Sequence, residues 1–265
     1  MPDAPRQPFR PSSSRQASAA AVRRDGDEIR PSGPRPMPRP LIPDDTRVHL
    51  PRGVRRAIDN QVRDDERSTA VQQALTLAGQ LIDEGLGEEA IPLMAWAKSH
   101  AARVPEIREA LGVACYQAGD FRNALNELRT FRRMAASHDQ DHLVADCLRG
   151  LGHPVEEVAA EVEGLLAAAG VHPERVVEGL LVWAGALRDT GDVAGARAVL
   201  RRADADLLRR AGDDPAQRLE WLAADLAEAD GDLDDARAGF RRLAAIPEDP
   251  WDAGPRLKAL AGRTS

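Results

Sequence analysis

Apolar residues recur at helical spacing through most of the chain, most clearly from Pro105 to Met134. The spacing predicts two amphipathic helices, about Glu106 to Gln117 and about Phe121 to Met134, each with one apolar stripe. Gly119 can adopt a positive φ after the first helix, and Asp120 can cap the second by accepting a backbone N–H. Neither helix can bury its stripe alone, so the pair needs packing neighbours.

The same two-helix pattern recurs over residues 66–246, which we divide into about five units. Each unit has a small residue early in its second helix, where two helices can approach closely: Ala90, Ala124, Val158, Ala196 and Ala236. The intervals between them are 34, 34, 38 and 40 residues. We therefore expect the later units to contain longer helices.

The two ends of this array are predicted to be covered by further helices. Residues 44–65 carry Val54, Ile58 and Val62 at intervals of four, which favours a capping helix packed on the first unit. Residues 247–265 are predicted to form a C-terminal capping helix, about Pro255 to Ala261, and a tail. Caps are needed because the open end of a repeat array exposes apolar surface.

The unit that begins near Pro105 carries Leu111-Gly112 in its first helix and Ala124-x3-Leu128 in its second. These residues resemble the tetratricopeptide repeat, in which W-x2-L-G-x2-Y is followed by A-x3-F and P over 34 residues. Three positions differ from the Trp, Tyr and late Pro of that pattern: Arg108, Cys115 and Ala136. The resemblance covers roughly residues 66–246 and rests on recurrence of the unit.

The resemblance implies an all-α solenoid of antiparallel helix pairs that binds other proteins in a groove lined by the first helix of each pair. The lysine and asparagine set with which some family members clamp a C-terminal carboxylate is missing here. The predicted groove residues are instead apolar or acidic: Leu75, Ile82, Glu106, Glu109, Val113, Tyr116 and Leu143. Such a groove suits an amphipathic or basic peptide, although each of these residues could equally be ordinary interhelix core. We expect a non-enzymatic protein-interaction adaptor.

Residues 1–43 differ in composition from the rest of the chain. They hold ten of the 19 prolines and eight arginines against four acids, a net charge of +4, which leaves −11 for the remainder of a chain whose total is −7. Such a segment is predicted to be disordered, with polyproline II character. It is either a solvated tail or a contact for an anionic partner such as RNA, for a proline-reading groove, or for the chain's own acidic groove.

A second hypothesis assigns the chain to RNA or the ribosome. Four arginines at the entry to the first predicted helix could contact phosphate together with the N-terminal arm: Arg47, Arg52, Arg55 and Arg56. The net charge of −7 argues mildly against this alternative. A solvated basic face is the more common outcome for such a cluster.

The sequence contains no nucleotide-binding glycine loop and no nucleophile elbow, so we predict no catalytic residue and no cofactor. His138 and His142 lie four residues apart, as in a two-histidine metal clip. Zinc needs three or four fixed ligands, and Cys147 is expected to face the core, so no metal site is predicted.

Cys115 and Cys147 form no CxxC pair, and we interpret them as reduced core thiols. The chain has no apolar run long enough to cross a membrane and no apolar secretory leader. The prediction is therefore a cytoplasmic protein with a protein or peptide partner and no membrane contact.

Overall fold

The computed structural model describes residues 37–263 of the 265-residue chain. That part forms thirteen α-helices and no β-strand, which confirms the all-α prediction for the described residues. The helices are α1 (Arg52–Gln61), α2 (Asp65–Asp83), α3 (Gly87–Ala101), α4 (Pro105–Gln117), α5 (Phe121–Ala135), α6 (Asp141–Gly150), α7 (Val155–Ala167), α8 (Pro173–Asp189), α9 (Val193–Leu200), α10 (Ala205–Ala211), α11 (Asp213–Ala229), α12 (Leu233–Ala244) and α13 (Ala253–Leu260). Most of the predicted N-terminal arm, residues 1–36, lies outside the described residues.

Helices α4 and α5 match the two helices predicted from the pattern to within one residue at each end. Gly119 has φ +75° between them, and the next N–H, of Asp120, donates to the carbonyl of Cys115 at 2.8 Å. Asp120 then caps α5 by accepting from the N–H of Asn123 at 3.3 Å. The positive φ recurs at the corresponding interhelical glycines, Gly85, Gly152, Gly191 and Gly231.

Except for α9 and α10, successive helices pack against one another along the chain. Helices α2, α4, α6, α8 and α11 also contact each other in that order. The small residues predicted at close approaches (Ala90, Ala124, Val158, Ala196 and Ala236) are all fully buried. Gly112 leaves no room for a side chain between α4 and α5, because a Cβ built on it would lie 2.6 Å from Cδ2 of Leu128. The Leu-Gly pair of the repeat pattern is thus a place where α4 and α5 approach each other closely.

Helix α1 contacts α2 and α3, and the predicted apolar positions Val54, Ile58 and Val62 are buried. The segment before α1 runs beside α2 in the same direction. Its contacts step along α2: Arg39 lies 3.7 Å from Glu66, Gln73 donates to the carbonyl of Thr46, and the N–H of His49 donates to Thr76. This path brings Leu50 and Pro51 towards the C-terminal half of α2.

The prediction of longer helices in the later units is wrong for the second helix of the fourth unit. Helix α9 has only eight residues, and the additional residues form a separate helix, α10. Asp204 explains the division, because its side chain accepts from the N–H of Leu207 at 2.8 Å and starts a new helix. Helix α10 packs on α8 and α11.

The C-terminal helix α13 begins two residues earlier than predicted and buries Ala253 and Leu260 against α12. Across residues 37–263, no helix has both the length and the apolar character required to cross a bilayer.

Candidate functional site

A cavity of about 570 Å³ lies against α2, α4 and α6. We call it the groove. All seven predicted groove residues line it: Leu75, Ile82, Glu106, Glu109, Val113, Tyr116 and Leu143. Nine further residues complete the lining: Leu50, Pro51, Val54, Gly79, Asp83, Ala110, Gln117, Gln140 and Arg175. The structure thus gathers residues from five helices, from the segment before α1 and from the N-cap of α6 around a single concave surface.

Helical spacing explains why these residues share one surface. On α4, Glu106, Glu109, Val113 and Tyr116 follow one another at intervals of three or four, which places them on one face of the helix. On α2, Leu75 leads in the same way to Gly79 and Ile82. Because α2 and α4 contact each other and α4 contacts α6, these faces border one cavity.

The apolar wall of the groove has a fixed geometry. Val113, Tyr116 and Leu143 are half-buried, so they present surface to the cavity while packing on the core. The hydroxyl of Tyr116 donates to Oδ2 of Asp146 on α6 at 2.7 Å. Burial raises the pKa of Tyr116, and the hydrogen bond to Asp146 raises it further. The hydroxyl of Tyr116 therefore stays protonated, and its hydrogen bond to Asp146 joins α4 to α6.

The polar end of the groove is acidic. Nε2 of Gln140 donates to Oε1 of Glu109 at 2.7 Å. Burial raises the pKa of Glu109 and the nearby Glu106 adds to this, while the Gln140 hydrogen bond opposes it. The lining contains three carboxylates, of Asp83, Glu106 and Glu109, against the single cation Arg175.

Two oxygens at this end have no hydrogen-bond partner among the described residues: Oε2 of Glu106 and Oε1 of Gln140, both buried. Each is an acceptor. A buried acceptor without a donor typically costs about 1–3 kcal/mol. Two residues that line the groove thus each carry a buried acceptor without a donor among the described residues.

Arg175 connects the groove to the interior of α6. Its Nη1 lies 3.3 Å from Nε2 of His142, which must accept because guanidinium has only donors. His142 is buried, with 4% of its surface exposed. Burial lowers the pKa of His142 to about 4, assisted by the charge of Arg175. His142 is therefore neutral at pH 7 and holds Arg175 at the cavity wall.

The two histidines that have the spacing of a metal clip, His138 and His142, contact different residues. His138 precedes α6, and its Nδ1 lies 2.6 Å from Asp141, which also pairs with Arg132 at 3.1 Å. His142 contacts Arg175 instead. Cys147 is fully buried, and burial raises the pKa of its thiol to about 12. Within residues 37–263, no three His, Cys, Asp or Glu side chains converge in a way that would hold a metal ion.

The basic cluster of the alternative hypothesis lies on and just before α1. All four of its arginines are exposed, and none pairs with a carboxylate of residues 37–263: Arg47, Arg52, Arg55 and Arg56. Several arginines of later helices pair with carboxylates instead. Arg197, for example, pairs with Asp230, Asp232 and Asp235 at 2.6–2.9 Å.

Sequence reasoning missed the contribution of Arg175 and those of Leu50, Pro51 and Val54, which it interprets only as parts of a cap. Arg175 could have been found by carrying the repeat register one unit further. It lies 35 residues after Gln140, in the first turn of α8. The contribution of Leu50 and Pro51 depends on a loop path for which the sequence carries no periodic signal.

Comparisons of the chain with family models, with curated proteins and with solved structures found no match. The function is therefore inferred from the chemistry of the groove.

Proposed function

We propose that this chain is a non-enzymatic protein-binding module that holds a peptide segment of a partner in the groove. The observation that carries the proposal is the convergence of seven residues, selected from the sequence, on one cavity with an apolar wall and an acidic end. Pockets for side chains combine apolar lining with a few oriented polar groups. The groove has this composition.

We further propose that the helices form tetratricopeptide-like pairs stacked as a solenoid. Three features support this arrangement. Glycines with positive φ separate the helices of each pair, small residues are buried at close approaches, and the first helices contact one another in chain order. A stack of this kind presents the faces of α2, α4 and α6 on one side.

The lining selects the chemistry of the peptide. An apolar side chain buried against Val113, Tyr116 and Leu143 contributes about 1.5–3 kcal/mol. A lysine or arginine beside it can donate to Glu106 and Gln140 and face the surplus of carboxylates. Charge then determines selectivity and association rate more than affinity. The preferred ligand is a basic peptide with at least one large apolar residue.

Selection from a display library of random 15-residue peptides tests the proposal on the full-length chain. We expect enrichment of peptides that combine an apolar residue with lysine or arginine. Those peptides should bind Leu143→Asp at least about tenfold more weakly, because one buried apolar contact is replaced by a desolvated charge.

Leu151→Asp is the matched control, because Leu151 is exposed and lies outside the groove. Ile82→Ser provides a second groove variant if Leu143→Asp unfolds. Failure to select any peptide that distinguishes the groove variants from the Leu151 variant would refute the proposal.

A second candidate function, contact with RNA, is favoured by the exposed, unpaired state of Arg47, Arg52, Arg55 and Arg56 among the described residues. The probe is a 20-nucleotide single-stranded RNA titrated at several salt concentrations. Replacing the four arginines by Gln should weaken binding and flatten the salt dependence.

The matched control replaces four other exposed arginines that also have no carboxylate partner within residues 37–263: Arg122, Arg133, Arg201 and Arg241. Equal losses in the two quadruple variants would indicate general charge attraction and would eliminate α1 as an RNA site.

A further inference from the structure

The described part of the chain begins with a proline-rich segment, residues 37–43, of sequence MPRPLIP. The pyrrolidine ring holds φ at about −65° in each proline, and the residue before each proline is restricted to extended backbone. Together these effects constrain six of the seven residues to conformations that a polyproline II helix uses. In the structure the segment contains no helix, strand or turn. A turn follows it, in which the N–H of Thr46 donates to the carbonyl of Pro43 at 3.0 Å.

The segment holds one face against the protein and presents two faces outwards. A polyproline II helix has three residues per turn, so residues three apart share a face. Arg39 and Ile42 form the inner face. Nη1 of Arg39 lies 3.7 Å from Oε1 of Glu66 on α2, and Ile42 is half-buried against the core. The outer faces carry the remaining residues, all exposed except the half-buried Pro40: Pro38 with Leu41, and Met37 with Pro40 and Pro43.

The outer faces expose apolar side chains and free backbone groups. Leu41 is the most exposed large apolar residue of the described chain, with 92% of its surface in contact with solvent, and Met37 is 45% exposed. Among the described residues, the backbone groups of residues 37–42 form no hydrogen bond with other backbone groups. Their carbonyls are therefore free to accept hydrogen bonds from a partner.

We propose that residues 37–43 are a docking segment for a partner protein that reads polyproline II in a groove lined by aromatic side chains. Such grooves bind the prolines and apolar residues of a preformed polyproline II helix. Tyr O–H and Trp N–H groups of the partner can donate to the free carbonyls. The segment is already extended and anchored on α2, so that docking orders few additional residues. None of residues 37–43 lines the groove of the proposed function, and the inference is independent of it.

Another P-x-x-P sequence shows that proline spacing is not sufficient. Pro247 and Pro250 have the same spacing as Pro40 and Pro43, and both are exposed. The two residues between them, Glu248 and Asp249, have φ values of 69° and 43°, which a polyproline II helix does not allow. The sequence around Pro247 therefore serves as a matched control.

An array of purified Src homology 3 and WW domains, probed with the full-length chain, tests the proposal. We expect at least one domain to bind. Replacing Pro40 and Pro43 by Ala should weaken that binding at least about tenfold, because ring contacts and the restriction of the unbound backbone are both lost. Biolayer interferometry on each domain that binds measures the change. Replacing Pro247 and Pro250 by Ala should leave the affinity unchanged.

Leu41→Ser provides a second variant of the segment. It should weaken binding by about tenfold or more, because a large apolar contact is lost. The melting temperature should not change, since Leu41 is exposed in the free chain.

Three results would overturn the proposal: no domain binds, both segment variants bind as tightly as the native chain, or the control variant loses as much affinity as the segment variants. A domain that binds prolines of residues 1–36 instead would give the second result.

Discussion

Gln140 donates through Nε2 to Oε1 of Glu109 at 2.7 Å, which joins α6 to α4 at the polar end of the groove. This bond uses one N–H of the Gln140 amide, while the amide oxygen, Oε1 of Gln140, is buried without a partner among the described residues. The contact that holds the two helices together thereby also leaves a buried acceptor on a residue that lines the groove. Glu106, one helical turn before Glu109, adds a second.

Glu106→Gln should weaken binding of an arginine-containing peptide by about tenfold, since a hydrogen bond to a charged group contributes about 1.5–3 kcal/mol. The melting temperature should not fall, because the carboxylate oxygen lost has no partner within the described protein. Isothermal titration calorimetry and a thermal melt measure the two effects. Glu89→Gln, at an exposed position of α3 outside the groove, is the control; an equal loss of affinity there would contradict a specific role for Glu106.

Binding of a basic peptide should weaken on acidification. Burial raises the pKa of Glu109 above its ordinary value of 4.5, so this carboxylate loses its negative charge at a higher pH than an exposed glutamate. The attraction for a cation is complete above the raised pKa and is lost as the pH falls through it. Titrations between pH 7.5 and 4.5 should show this loss, and Glu109→Gln should remove part of it. An identical pH profile in the variant would show that Glu109 does not face the ligand.

The free energy of unfolding should also fall at low pH because of His142. Its pKa is about 4 in the folded chain, lowered by burial and by Arg175 from the ordinary 6.5. The unfolded state therefore takes up a proton first. The associated stability is complete above pH 6.5 and is lost as the pH falls to about 4, by up to about 3 kcal/mol.

Urea unfolding of the native chain and of His142→Gln at pH 7.5 and pH 4.5 measures this contribution, and the variant should lose less stability between the two pH values. His153→Gln is the control, because His153 is exposed. If both variants show the pH dependence of the native chain, His142 is not the responsible group.

Gly112→Ala should destabilise the fold by about 1–3 kcal/mol, as overpacking does, because the added Cβ would meet Leu128 at 2.6 Å. Gly164→Ala is the comparison, since a Cβ there meets nothing within 4 Å and alanine favours the helix by roughly 0.5–1 kcal/mol. In chemical denaturation, the free energy of unfolding should therefore fall for Gly112→Ala and rise for Gly164→Ala. Equal signs would mean that α4 and α5 do not depend on close approach at Gly112.

The sequence predicted the helices best where the apolar periodicity, a glycine at the turn and an aspartate cap indicate the same helix boundary, as they do around Gly119 and Asp120. It also selected residues of α2, α4 and α6 that line one cavity, because positions three and four apart on one helix share a surface. It could not predict the break at Asp204, where a local side-chain hydrogen bond competes with helix continuation. Nor could it predict that Leu50 reaches the groove, since this depends on a non-periodic path fixed by contacts with Gln73 and Thr76.

The most direct test of peptide binding in the groove is methyl NMR of the full-length chain during titration with the most enriched library peptide. We expect the methyl resonances of Ile82, Val113 and Leu143 to shift with one common dissociation constant. Those of Leu243 and Leu260, in the separate core of the C-terminal helices, should stay in place. Shifts confined to the C-terminal core, or no shifts while the peptide binds, would contradict the account.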